Sequence, residues 1–194
     1  MTLVFDIETT GKADFDRPPE DPIQPRLVQL GAILYDATWE VRAEVNLIQK
    51  PDGYDIPVKA SNIHHITTEI ATKYGVSGKA IMHLFAALCN RAHVIVAHNI
   101  AFDAIVIGRE MSVHQVDSKS PKNKICTMNA MTNICQIKGW KPGQYKWPKL
   151  VEAFAHTHPN ETFDAHDAMN DVRVCCRIYR WLIENNLLPA DNVI

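Results

Sequence analysis

A chain of 194 residues with a formal net charge of −2 has the length of one domain with a sizeable core, so residues 1–194 are read as a single unit. Its 46% hydrophobic and 22% charged residues are ordinary for a globular protein and exclude a disordered or fibrous one. No apolar run reaches the roughly 18 residues of a membrane span. MTLVFDIETT lacks the basic start of a secretory leader, and Cys89, Cys126, Cys135, Cys175 and Cys176 form no CxxC pair. The expectation is a cytoplasmic, reduced protein without a zinc site or a disulfide framework.

Strand and helix signals alternate along the chain. Leu3 to Ile7 is a short apolar run that ends in acids, the pattern of a buried strand delivering carboxylates at its end. Asp14 to Pro25 carries four prolines and many charges, which makes it an exposed loop. Arg26 to Tyr35 and Val41 to Gln49 read as strands joined by a turn near Asp36 to Glu40, and Pro51 to Pro57 is a break. Ile81 to Cys89 has helical periodicity and His93 to Ala97 is a short β-rich run. Ala101 to Met111 reads as a helix with Phe102, Ile105 and Val106 on one face. Lys138 to Pro148 is a loop of Gly, Pro, Lys and aromatic residues. Leu150 to His156 and Ala168 to Asn185 complete the helices. Early strands followed by strand–helix alternation indicate an α/β fold with a mixed sheet flanked by helices.

Three short motifs carry the chemistry. In FDIETTG (Phe5 to Gly11), side chains two apart on a strand share a face, so Asp6 and Glu8 project together. Two such carboxylates repel unless a cation lies between them, and oxygen donors of this kind suit Mg²⁺ or Mn²⁺ rather than zinc. Thr9, Thr10 and Gly11 then bring backbone N–H groups close to a ligand. In HNIAFD (His98 to Asp103), Asp103 falls at a helix start after a strand, where crevices form in α/β folds. His98 and Asn99 bracket that crevice and Phe102 offers an aromatic wall.

In HDAMND (His166 to Asp171), the two ends would stand roughly 140° apart on one helix. They face a common site only if the helix begins after His166, leaving a loop-borne imidazole suited to general base work. Asp164 and Asp167 are then helix-start residues, and His156 and His158 belong to a surface loop. Together the acids and the histidine are equipment for metal-assisted phosphodiester hydrolysis. The negative net charge opposes nucleic acid as a partner only until bound cations are counted. Basic residues also cluster, as Lys119, Lys122 and Lys124, and as Lys138, Lys141, Lys146 and Lys149 interleaved with Trp140, Tyr145 and Trp147. The second group suits phosphate contact with base stacking, or else a solvated loop whose aromatics pack on the domain.

The three motifs in this order resemble the DEDD superfamily of 3′–5′ exonucleases. The HxAxxD form (His166, Ala168, Asp171) looks like its histidine branch, which includes the proofreading subunit of bacterial replicative polymerases, RNase T, oligoribonuclease and phage enzymes. The resemblance runs from Phe5 to beyond Asp171. It implies a ribonuclease H-like fold, a five-stranded mixed sheet with helices on both faces. It implies that Asp6, Glu8, Asp103 and Asp171 bind two divalent metal ions, Mg²⁺ or Mn²⁺, and that His166 is the general base. It further implies that Thr9 to Gly11, Ile63, His64 and Phe102 contact the terminal nucleotide. The substrate so implied is nucleic acid with a free 3′ end, single-stranded DNA favoured over RNA, cut to 5′-mononucleotides. An exoribonuclease trimming RNA ends or short oligomers is the alternative. A polymerase or a second copy of the chain is compatible as partner, while an idle polymerase-docking module is disfavoured by the complete acid set.

Overall fold

The computed structural model describes residues 1–119, 121, 123–139, 141 and 143–188. Lys122 and Trp140 of the basic segments lie outside the described residues. Five strands form one mixed sheet: β1 (Thr2–Thr9), β2 (Leu27–Tyr35), β3 (Val41–Ile48), β4 (Val94–Ala97) and β5 (Asn123–Cys126), in the order β3-β2-β1-β4-β5. β2 pairs antiparallel with both β1 and β3, whereas β4 pairs parallel with β1 and β5. The helices are α1 (Val58–His64), α2 (Thr68–Tyr74), α3 (Gly78–Arg91), α4 (Ile100–His114), α5 (Thr127–Cys135), α6 (Leu150–Thr157) and α7 (Ala168–Glu184). This is the ribonuclease H-like arrangement, with helices on both faces.

Period-two alternation in β1 feeds both layers of core. Leu3, Phe5 and Ile7 pack with Ile81, Phe85 and Val106 of α3 and α4 on one side. Val4 faces Met169, Val172 and Cys175 of α7 on the other. Asp6 and Glu8 continue the Val4 row and therefore lie on the α7 side of the sheet. β2 is buried along nearly its whole length. It pairs Gly31 with Asp6 and Gln29 with Glu8 before the register shifts between Glu8 and Thr9. β3 is one of the two edge strands, with Ala43, Val45 and Leu47 turned to the core and Arg42, Glu44 and Asn46 outward.

The structure departs from the sequence reading in three places. The buried stripe of α4 is Ile100, Asp103, Val106, Ile107 and Glu110, while Phe102 and Ile105 are only partly buried. Two acids on the inner face were not expected from apolar periodicity. One of them, Glu110, is fully enclosed. Its carboxylate accepts from Arg26 (Nε 2.6 Å, Nη2 3.2 Å), from the Leu27 N–H (3.1 Å) and from Gln49 Nε2 (2.8 Å). Secondly, α1 and α2 occupy part of the stretch after the Pro51–Pro57 break. Thirdly, β5 and α5 fill the stretch between α4 and the lysine-rich loop, where Ala130 and Met131 pack on Phe154 and Ile178.

Candidate active site

Local structure brings each motif to the same end of the sheet. β1 delivers Asp6 and Glu8, and the chain beyond it is pinned to the start of β2. There the Thr10 N–H donates to the Arg26 carbonyl (3.0 Å) and the Arg26 N–H donates to Thr10 Oγ1 (2.9 Å). β4 exits through Asn99, whose left-handed backbone (φ 74°) turns the chain sharply enough for Asp103 to fall in the first turn of α4. α7 begins at Asp167, whose side chain caps it by accepting from the Asn170 N–H (3.0 Å). His166, with φ 71°, lies outside the helix and is exposed, and its N–H donates to Asp171 Oδ2 (3.3 Å). Starting the helix after His166 is what lets both groups face inward.

One cleft is lined by Asp6, Glu8, Asp103, His166 and Asp171, together with His98, Asn99 and Phe102. All five motif side chains meet there from three remote segments. Glu8 also borders a second groove formed by Thr9, Thr10, Gly11, Ile63 and His64, so the two recesses share a wall. No protein atom lies within 4 Å of where a Cβ on Gly11 would stand, which leaves that room to whatever enters the groove. Ile63 is half exposed, whereas His64 is buried. Its Nδ1 accepts from the Ile66 N–H (3.2 Å) and burial pulls its pKa down, so the neutral ring carries its proton on Nε2.

The electrostatics of the cleft are unfavourable without a cation. Burial, then the charges of Asp103, Asp171 and Glu8, hold Asp6 well above the usual carboxylate range. Burial likewise raises Asp103 strongly, pushes Glu8 to about 8 and Asp171 to about 6. Glu110, two turns along α4 from Asp103, is a control within the same helix. Burial pulls it upward too, but the bonds from Arg26 and Gln49 outweigh this and hold it below the usual range. Asp103 is as buried, yet among the described residues no lysine or arginine pairs with it. Its Oδ2 and Asp171 Oδ1 are buried without a hydrogen-bond partner. Glu8, His166 and Asp171 each offer a donor atom, all within 4.8 Å of one another. Oxygen-rich, anionic and unsatisfied, these residues fit hard divalent cations.

Other cleft residues are Met128, Pro148 and Leu150, which the sequence reading did not single out, and Trp147 and Lys149, which it named only within the basic aromatic loop. Composition flagged the aromatic–lysine run but not where it would fold. His98 commits both ring nitrogens to the protein, Nδ1 to Thr127 Oγ1 (2.9 Å) and Nε2 to the Pro148 carbonyl (3.0 Å). Burial lowers its pKa to about 4. The neutral ring therefore donates from Nε2 to the carbonyl and accepts at Nδ1.

The family model for exonucleases of the RNase T type matches residues 3–179. The chain belongs to this exonuclease family. Its members work with divalent metal ions, in keeping with the four carboxylates, and their DEDD signature is the one the three motifs carry. Among solved structures, Escherichia coli exonuclease I in complex with a dA16 oligonucleotide superposes with a TM-score of 0.73 at 20% identity, over 96% of this chain and 42% of that one. The zinc-bound form of an E. coli exonuclease I–single-stranded DNA complex gives 0.71 at 22% identity, over 95% and 40%. Exonuclease I of Methylocaldum szegediense gives 0.70 at 21%, over 96% and 41%. The exonuclease fold is common to all, and this chain spans about two fifths of their length. No curated protein matches the sequence. Among the described residues, no helix is long and apolar enough to cross a membrane.

Proposed function

We propose that residues 1–194 form one exonuclease domain, of the histidine branch, that removes 5′-mononucleotides from the 3′ end of single-stranded DNA. The observation that carries this reading is the meeting of Asp6, Glu8, Asp103, His166 and Asp171 in one cleft. Asp6, Glu8, Asp103 and Asp171 would hold two divalent cations, Mg²⁺ or Mn²⁺, which supply positive charge at the phosphate and make water acidic enough to attack at neutral pH. His166, on its exposed loop, takes the proton of the attacking water. The water oxygen bonds to phosphorus, and the bond to the 3′-oxygen of the penultimate nucleotide breaks. That oxygen gains a proton, and the terminal residue leaves as a 5′-monophosphate. Thr9 to Gly11, Ile63 and His64 hold the terminal nucleotide in the adjoining groove, and Phe102 packs against it. DNA is favoured because E. coli exonuclease I was captured with single-stranded DNA.

Digestion of matched 5′-labelled single-stranded DNA and RNA oligomers tests the reading, with Mg²⁺, with Mn²⁺ and with chelator, beside an Asp103→Ala control. A metal-dependent ladder that shortens from the 3′ end, absent in the control, supports it. Faster loss of RNA would replace DNA by RNA as substrate, and no degradation of either polymer would sink it.

A further inference from the structure

The lysine–aromatic loop forms a wall of the catalytic cleft. Trp147, Pro148 and Lys149 line that cleft with Asp6 and Glu8. Trp147 also borders a shallow groove made by Gly139, Lys141, Gln144 and Tyr145. It is therefore the lip between the two recesses. Trp147 is 67% exposed and Tyr145 44%. Among the described residues no aromatic ring or guanidinium packs on Trp147. An indole two-thirds exposed beside a catalytic cleft presents ring surface to a flat partner.

The chain on either side of Trp147 is held fast. Pro148 is buried and its carbonyl accepts from His98 Nε2, which ties the loop to the end of β4. Lys146 is fixed twice, by its Nζ on Glu152 Oε1 (2.6 Å) and by its N–H on the Ile137 carbonyl (2.9 Å). The other oxygen of Glu152 accepts from the Lys149 N–H (2.8 Å). The Gly139 N–H donates to the Gln144 carbonyl (3.0 Å), and Gly143 supplies the left-handed turn (φ 77°). A ring mounted on so constrained a backbone loses little freedom when it binds.

Charge says what kind of partner fits. No acid occurs between Gln136 and Val151, a stretch with Lys138, Lys141, Lys146 and Lys149. Lys149 stands on the cleft side of Trp147 and Lys141 on the groove side, both exposed. Cationic groups flanking an open ring are complementary to a strand that alternates phosphate and base.

Resting on the exonuclease reading above, we propose that Trp147 stacks an unpaired base of single-stranded DNA just 5′ of the scissile phosphate, with Lys149 and Lys141 on the phosphates to either side. Terminal-nucleotide recognition lies in the adjoining groove beyond Glu8, at Thr9 to Gly11 and Ile63. Groove and Trp147 thus grip successive nucleotides, and a duplex end, whose bases are already stacked and paired, is refused at Trp147.

The experiment compares the wild type with Trp147→Ala and Trp147→Phe on two substrates. One is the octamer dT8, and the other is the p-nitrophenyl ester of thymidine 5′-monophosphate, which has no nucleotide beyond the scissile bond. Trp147→Ala is expected to raise KM for dT8 about 5- to 150-fold, the range spanned by stacking one base. Hydrolysis of the ester, whose small nitrophenyl ring is the only flat group on that side of the phosphate, falls less than that of dT8, and Trp147→Phe recovers most of the loss. Abasic residues at the second and third positions from the 3′ end of the octamer remove the difference between wild type and Trp147→Ala. An unchanged KM for dT8, or a penalty equal with and without those bases, overturns the proposal. If the wild type hydrolyses neither substrate, the exonuclease reading itself fails. Anisotropy of fluorescein-labelled dT8 with chelator present then decides the stacking alone: weaker binding by Trp147→Ala upholds it and equal binding overturns it.

Discussion

Asp103 occupies a position on α4 where hydrocarbon is the ordinary choice, flanked on its stripe by Ile100, Val106 and Ile107. Its charge opposes folding, since burial and Glu8 both disfavour the ionised form. Replacing it by asparagine keeps the shape and removes that repulsion. Asp103→Asn is therefore expected to melt at the same temperature as the metal-free wild type or higher, while its turnover falls at least about 100-fold, more than an outer supporting contact costs. Melting and oligomer digestion on one preparation check both halves, and near-normal activity would remove Asp103 from the site. His166 is a different case, exposed and outside the helix. His166→Ala should lose about 10²–10⁴ in rate, the contribution of one positioned proton acceptor, yet retain Mn²⁺ binding by calorimetry. Loss of the binding isotherm would make His166 a ligand rather than a base. Asp6 and Glu8 were legible from sequence because their spacing on β1 puts them on one face, and Asp103 and Asp171 because their motifs fall at helix starts. Trp147 was legible as part of a basic aromatic loop, but its place beside the cleft was not, because that depends on how the loop is anchored, and His98 and Glu152 are remote from it in sequence or lie beyond its end.

At the level of elements, α7 depends on a residue that carries no chemistry. A Cβ on Gly31 would stand 2.7 Å from the backbone C and O of Ala168 and 2.9 Å from the Met169 N. Those are backbone atoms of the first turn of α7 and have no side-chain freedom with which to yield. Gly31 also pairs with Asp6 across the sheet, so the clash falls where α7 brings Asp171 toward β1. Gln29, two residues before it, receives the Ala168 N–H (3.3 Å) and donates to Asp167 Oδ2 (3.2 Å). Gly31→Ala should therefore cost roughly 1–3 kcal/mol by overpacking and depress kcat with little change in KM, because the catalytic groups move and the nucleotide groove does not. Urea denaturation with steady-state kinetics measures both, and full kcat in a destabilised variant would show that α7 shifts without disturbing Asp171. The sequence displayed α7 clearly through its apolar stripe and the Asp167 cap. It hid α5, whose Thr and Asn residues are poor helix formers. Only the spacing of Thr127, Ala130, Met131 and Ile134 signals that helix, and tertiary packing on Phe154 makes it form. β5 is short and begins with polar Asn123 and Lys124, so periodicity had almost nothing to read.

At the scale of the molecule, the fold gathers repelling carboxylates from β1, α4 and α7 at a single point, and its stability must register what neutralises them. Glu8 is pushed up to about 8 and Asp171 to about 6, with Asp6 and Asp103 well above their usual range. The folded, metal-free chain thus holds protons that the unfolded chain, with carboxylates near pKa ~4, has already released. Stability from these groups is fully present below that unfolded value and is lost as pH rises through the folded values. Above pH ~6.5 the ordinary imidazole is largely neutral, and burial lowers the pKa of both His64 and His98, so neither offsets the trend. Between pH ~6.5 and ~8.5 the melting temperature of the metal-free protein should therefore fall, with Glu8 titrating inside that window. Divalent cations bind the deprotonated carboxylates and displace their remaining protons, so their stabilisation grows over the same interval. The expected outcome is a Mg²⁺- or Mn²⁺-induced rise in melting temperature that is larger at pH 8 than at pH 6.5, and that Asp103→Asn reduces at both. A rise independent of pH would mean that the ions bind elsewhere, and that the four acids are kept protonated rather than charged when the enzyme works.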